Sequence, residues 1–266
     1  MLSSVFRKTI WDRRRGFVWW CVGILAITGI TVSFWPTLQR DSDVLMQLLE
    51  GLPEGMLNLF GASEAVDFLS GPGFVNSRVY ASVGSFIVIF FAISMGTAAI
   101  AGEEDKGTMD MLLANPIARD RVVLQTFAAQ AVLATVLAAL VAALLLITDP
   151  MLDVGLPVGG VIAASTGMVL LALSFGSLAL MIGALTGKRG LTVGVASGAV
   201  IATFFINGLA PLIDSIEWTQ KLTPFYWMLD HNPLANGFRA QLLVLVVAIV
   251  IFLSVAVWGF RRRDAA

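Results

Sequence analysis

Six apolar runs constrain this chain more than anything else in it: residues 16–35, 80–101, 122–148, 157–185, 191–213 and 240–260. Each reaches the roughly 20 residues that a helix needs to cross a bilayer's hydrocarbon core. None contains Asp, Glu, Lys, Arg or His. In hydrocarbon every backbone N–H and C=O must find a partner within the protein, so apolar runs of this length predict helices. The alternating segments of about ten residues that build a β-barrel are missing. The expected fold is an all-α membrane protein with six transmembrane helices, and residues 1–266 form a single transmembrane domain. With 58% hydrophobic and 13% charged residues, little is left for a sizeable soluble domain. The first run is too long for a cleavable signal and is followed by Phe34-Trp35-Pro36 with no small-residue cleavage site, so it should stay as the first span.

The charges outside the runs are unevenly shared. Threading the chain through six spans puts thirteen of the seventeen Lys and Arg residues on one side and leaves Arg40, Arg78, Lys221 and Arg239 on the other. The positive-inside rule makes the first side cytoplasmic, with both termini there, and a multi-pass protein of the cell membrane is expected. The formal net charge of −1 hides this asymmetry and gives no reason to expect a nucleic-acid partner. Residues 2–15 mix Val5, Phe6, Ile10 and Trp11 with five basic residues, the pattern of an interfacial amphipathic helix that precedes the first span and contacts lipid, with plain topology signalling by the positive charges an equal reading. Residues 36–78 form a long outer loop. Val44, Leu45, Leu48, Leu49 and Leu52 share one helical face there, and a second apolar turn follows Pro53. Residues 214–239 form another outer loop, aromatic in character, and carry His231, whose lack of partners of metal-ligating type marks it as an ordinary loop residue.

Between the second and third runs lies a short charged island, residues 101–124, AGEEDKGTMDMLLANPIARDRVVL. Met109, Leu112 and Leu113 recur at i, i+3 and i+4, the apolar face of a two-turn helix. Glu103, Glu104 and Asp105 precede that face, as suits a helix N-terminus. Pro116 ends the helix, and Asp120 is placed to cap the next apolar run.

The pattern of Glu103-Glu104, Gly107-Thr108, Leu112-Leu113, Pro116 and Arg119 resembles the first cytoplasmic loop of bacterial type-2 ABC-exporter permeases. The likeness extends to the basic N-terminus, the long first outer loop, the Gly187-Lys188-Arg189 turn and the terminal Arg261-Arg262-Arg263-Asp264. It implies a six-span permease subunit with a cytoplasmic coupling helix between spans two and three. It also implies an ABC ATPase subunit as a separate partner, docked through Glu103, Glu104, Gly107, Thr108, Met109, Leu112, Leu113, Pro116 and Arg119. In such exporters spans two and five of two protomers face each other across the path, which nominates Ser85, Ile89, Thr203, Phe204 and Asn207 as lining residues. Polar glue between helices is an equal reading for each. The second permease copy would be identical or related.

What the chain lacks narrows its chemistry. Spans free of titratable residues offer no side-chain relay for protons, which disfavours a proton-coupled carrier. A phosphate-binding loop needs G-x-x-x-x-G-K-[ST]. The nearest segment, Gly183 to Arg189, is one residue short and has Arg189 in place of the hydroxyl. No cofactor is expected in this chain, with ATP and magnesium on the partner ATPase. No catalytic or metal-binding grouping is present in the sequence, so a transport subunit and not an enzyme is expected. Small residues recur at every fourth position along Ala179, Gly183 and Gly187, and again along Gly190, Gly194, Gly198 and Ala202. Packing of spans four and five on each other is the first reading, with contact between protomers as the alternative. Rival functions are a secondary carrier or channel without an ATPase, and a membrane anchor or sensor subunit that transports nothing.

Overall fold

The computed structural model describes residues 5–40, 70–105, 107, 118–230 and 232–263. Among these residues every regular element is helical, and six stretches are long and apolar enough to cross a membrane.

The first span, α1, runs as one helix from Val5 to Ser33. At 1.5 Å per residue it is about 43 Å long, well beyond the hydrocarbon layer. The basic residues before Gly16 therefore continue the axis of the span, and the expected turn between an interfacial helix and the first span does not occur within the described residues. No proline lies in this stretch, and the glycine at the junction, Gly16, costs a helix only about 1 kcal/mol. Val5 is also buried against Ile100, Val122 and Phe260, which fixes the free end of the rod on the bundle. A short helix, α2 (Trp35–Arg40), follows.

The second span is built from α3 (Gly71–Val75), a π-helical turn (Asn76–Tyr80) and α4 (Val83–Ala99). Ser70 caps its start by accepting from the Gly73 N–H at 3.0 Å. At the irregular joint the Ser82 hydroxyl donates to the carbonyls of Ser77 and Arg78 at 3.0 and 2.9 Å. A one-turn helix, α5 (Ala101–Asp105), ends this unit. The third span is α6 (Arg119–Leu152), the fourth α7 (Val158–Thr186) and the fifth α8 (Arg189–Leu209). After α9 (Pro224–Leu229) and α10 (Pro233–Asn236), the sixth span is α11 (Leu243–Arg262). Ala118 holds the N-cap position of α6 without a side-chain bond, so Asp120 is a first-turn residue and not the cap.

Two helices form the centre. The most apolar windows of the second span and of α7 are each 72% buried, against 17 to 33% for the other four spans. Their backbones approach closely because Gly96 of α4 lies against the Gly176 carbonyl and Ala179 of α7, where any Cβ would collide. The two small-residue stripes thus do different work. Ala179 and Gly183 of α7 face Gly96 and Ala101 of the second span. On α8 the buried residues are Thr192, Ala196, Val200, Asn207 and Gly208. Gly190, Gly194 and Gly198 face open space. Spans four and five do pack on each other, with Gly183 of α7 beside Thr192 of α8, but the glycines of the α8 stripe take no part in that contact.

The end of the bundle opposite the basic residues is closed by α9 and α10. Phe225, Met228 and Leu234 are fully buried, and Phe225 packs on Phe86, Phe175 and Phe204 with ring centroids 5.6 to 6.0 Å apart. The aromatic segment is thus inserted among the spans, although Trp218 and Leu222 remain exposed. Burial, with Asp230 beside it, pushes the Tyr226 phenol above its ordinary pKa. The periodic segments of the first outer loop, residues 44–60, and His231 lie outside the described residues.

Candidate functional site at the basic end

The three acidic residues that open the charged island each reach a different part of the chain. Glu103 accepts from Lys8 of α1 at 3.3 Å. Glu104 meets Arg263, just past the end of α11, at 2.5 Å. Asp105 lies 3.5 Å from Arg189 at the start of α8. One turn of helix therefore ties down the basic ends of the first, fifth and sixth spans. The three pairs are not equal. The Glu104 and Arg263 side chains are only 13% and 25% exposed, whereas both members of the Asp105–Arg189 pair are more than half exposed. Low exposure raises both the attraction within the pair and the cost of losing one partner.

Gly187 makes room for the tightest pair. It ends α7 in the left-handed region at φ +64, and a Cβ on it would strike both the Glu104 carboxylate and the Arg263 guanidinium. Its N–H bonds back to the Gly183 carbonyl at 2.9 Å, closing the helix. No side chain larger than hydrogen fits both demands.

Arg119 does a related job on α11. Its guanidinium donates to the carbonyl oxygens of Phe260, at 3.1 Å, and Arg263. A cation is thereby placed where the helix dipole is negative and the last carbonyls lack partners. Its carbon also lies 5.6 Å from the centre of the Phe260 ring. Asp120 pairs with Arg261 at 2.9 Å, and the Gln125 side-chain Oε1 accepts from the Phe6 N–H at 3.3 Å. Beneath these charges Val5, Ile100, Val122, Val123, Leu180, Ala184, Ala256 and Phe260 form a separate apolar cluster.

Of the residues expected to contact an ATPase, Glu103, Glu104 and Arg119 are thus engaged within the chain. Gly107 sits in a turn at φ +66 with open space around it, its N–H bonded to the Glu104 carbonyl at 2.9 Å. Thr108, Met109, Leu112, Leu113 and Pro116 lie outside the described residues. Of the residues expected along a path, Ser85 and Ile89 are fully buried, and the Ser85 hydroxyl donates to the Tyr80 carbonyl. Asn207 is buried and accepts from the Thr223 hydroxyl at 3.1 Å, so it fastens the segment before α9 to α8. Thr203 and Phe204 are half-buried. The Thr203 hydroxyl returns to the Ala199 carbonyl at 2.6 Å.

Lys8, Arg189, Arg263 and Gly187 complete the network but were not singled out as site residues by sequence. Their partners lie up to 159 positions away, beyond any local pattern. A usable signal was present: three consecutive acidic residues among basic clusters at both termini and in the Gly187-Lys188-Arg189 turn.

The family model described as "ABC-2 family transporter protein" matches residues 3–265, nearly the whole chain. No curated protein matches the chain.

Proposed function

The chain belongs to the ABC-2 transporter family and is a membrane-spanning permease subunit of an ABC transporter, and from that premise we propose that it serves ATP-driven export, docking on a separate ATPase subunit through the 101–124 island. The observation that supports this most is the fan of ion pairs from Glu103, Glu104 and Asp105 to α1, α11 and α8. A push on the island is passed through one rigid turn to three spans at once. ATP-driven closure of the ATPases would in this way bias the spans between inward- and outward-facing states. ATP and magnesium belong to the partner, and this chain contributes the levers.

A second copy, identical or related, is proposed against the open face of α8. That face presents Gly190, Gly194 and Gly198 among exposed Leu191, Val195, Ile201 and Phe205, which permits close approach of another helix in lipid. Thr203 and Phe204 border it. Ser85, Ile89 and Asn207 lie deeper, so a path past them requires the spans to separate. The basic end is assigned to the cytoplasm of a cell-membrane protein on the charge asymmetry.

Co-purification tests the docking. Leu112→Asp adds a charge to the apolar face of the island and is expected to cost the ATPase complex a few kcal/mol, about a hundredfold in affinity. If the variant inserts normally and retains its ATPase and transport at wild-type levels, the island is not the coupling element. Labelling of single cysteines in a Cys21→Ser background tests the orientation. Ser215→Cys should react from outside intact cells and Lys188→Cys only after lysis; the reverse pattern inverts the topology.

A further inference from the structure

A second feature of the basic end does not depend on the ATPase. A cavity of about 170 Å³ opens between α1, α4 and α8, lined by Arg13, Ser94, Thr97, Gly102, Arg189 and Val193. It has room for more than a single water. Most hydroxyls in the spans turn back onto a carbonyl of their own helix, as those of Thr31, Thr148, Thr166, Thr186, Thr192 and Ser254 do. Thr97 does not. It is 2% exposed, and its oxygen has no partner among the described residues. An unsatisfied buried hydroxyl is costly, and a native one calls for an explanation.

The other groups at the cavity are cationic. Arg13 has neither an ion pair nor a hydrogen bond among the described residues and is half-buried. Arg189 is the first residue of α8, a helix of 21 residues that lacks a side-chain cap, so the positive end of its dipole and its first N–H groups lie at the same place. Asp105 pairs with Arg189, but both are largely exposed and such a pair is weak. Asp12, beside Arg13, is engaged with Lys8 at 3.9 Å. One guanidinium without a direct partner among the described residues, a second from Arg189 and a stranded hydroxyl thus converge on one small space, while Asp12 and Glu103 lie on the other side of Arg13.

We propose that this cavity is a phosphate site, occupied by the headgroup of an anionic phospholipid or by free phosphate. Phosphate suits the donor set: planar guanidinium groups bind its oxygens bidentately, and it accepts from hydroxyl and backbone donors together. Depth favours the lipid. Arg13 precedes the first apolar run by three residues and Arg189 precedes the fifth by two, which puts both at the level of the headgroups. The bound phosphate would join α1 to α4 and α8, where the protein itself supplies no direct bond from Arg13.

Native mass spectrometry of the purified chain, titrated with phosphatidylglycerol, with phosphatidylcholine and with inorganic phosphate alone, tests the site. Phosphatidylglycerol should be retained over phosphatidylcholine. Arg13→Gln and Arg189→Gln should each weaken that adduct roughly tenfold, and the near-isosteric Thr97→Val should weaken it less without endangering the fold. Arg121→Gln, which removes an equal charge from the same end outside the cavity, should leave it intact. Binding of inorganic phosphate with the same dependence on Arg13 and Arg189, but no lipid preference, supports the site with a soluble occupant. Equal retention by the Arg13 and Arg189 variants, an equal loss with Arg121→Gln, or binding of neither probe overturns the proposal.

Discussion

The two ends of the bundle are held together by opposite means. At the end closed by α9 and α10, those helices are inserted among the spans by apolar burial, with Phe225 at the centre of a ring cluster, hydrogen bonds such as Thr223 to Asn207 at the edge, and one long ion pair, Asp230 to Arg239 at 4.0 Å, at the surface. At the basic end, elements far apart in sequence are joined by charges on the surface of a small apolar cluster. The first arrangement is insensitive to what surrounds it, because its contacts are short-ranged and dry. The second can be altered from water by a docking protein, by salt or by an anion. The proposed docking of an ATPase at the basic end would place the responsive contacts on the side of that motor.

Removing the anchor of the dry end should have the largest effect. Phe225→Ala deletes a fully buried ring in contact with three others, and loss of such a ring costs about 3 kcal/mol or more. Thermal unfolding of the detergent-solubilised protein should show a lower midpoint, and the same drop should persist in molar salt. A loss that varies with salt would mean that the end closed by α9 and α10 is not held by packing.

Breaking the tightest pair of the responsive end comes next. As one exposed charge at the edge of an ATPase contact, Glu104 would cost little on truncation. Its place beside Gly187, paired to Arg263, predicts more: Glu104→Ala should cost about 2 to 3 kcal/mol, short of a fully buried pair because Arg263 keeps a quarter of its exposure. Adding Arg263→Ala to that variant should cost little further, since the orphaned cation goes with it. Additive losses would show that the two residues do not act as a unit.

The contrast between the ends also separates what the sequence makes legible from what it does not. Span positions follow from hydropathy because the bilayer sets the length that apolar runs must reach, and α7 and α11 begin and end within three residues of their apolar runs. The start of α1 does not, because composition changes at Gly16 while the backbone has no reason to break. The direction of the α8 glycine stripe is equally unreadable, since small residues mark a close approach without naming the partner. At the basic end the acidic triplet stands out in the sequence, but its partners do not, because an ion pair over 159 positions has no periodicity to betray it. Asp120 shows the limit most plainly: cap chemistry predicts a bond to its own helix, and tertiary structure adds Arg261, which no local pattern announces.

That last pair supplies the smallest expected effect. Asp120 and Arg261 are 33% and 60% exposed at a separation of 2.9 Å, so water and salt screen what the geometry offers. The Asp120 carboxylate also sits in the first turn of α6, where a negative charge is favoured by the helix dipole, and Asn in its place keeps a polar group but loses the charge. Asp120→Asn should therefore lower the unfolding midpoint slightly at low salt and leave it unchanged in molar salt, while Glu104→Ala remains destabilising in both. If Asp120→Asn costs as much as Glu104→Ala and salt does not erase the loss, burial does not grade the pairs of the basic end. The claim that this end is tuned by its exposure would then fall, and with it the physical distinction between the two ends of the bundle.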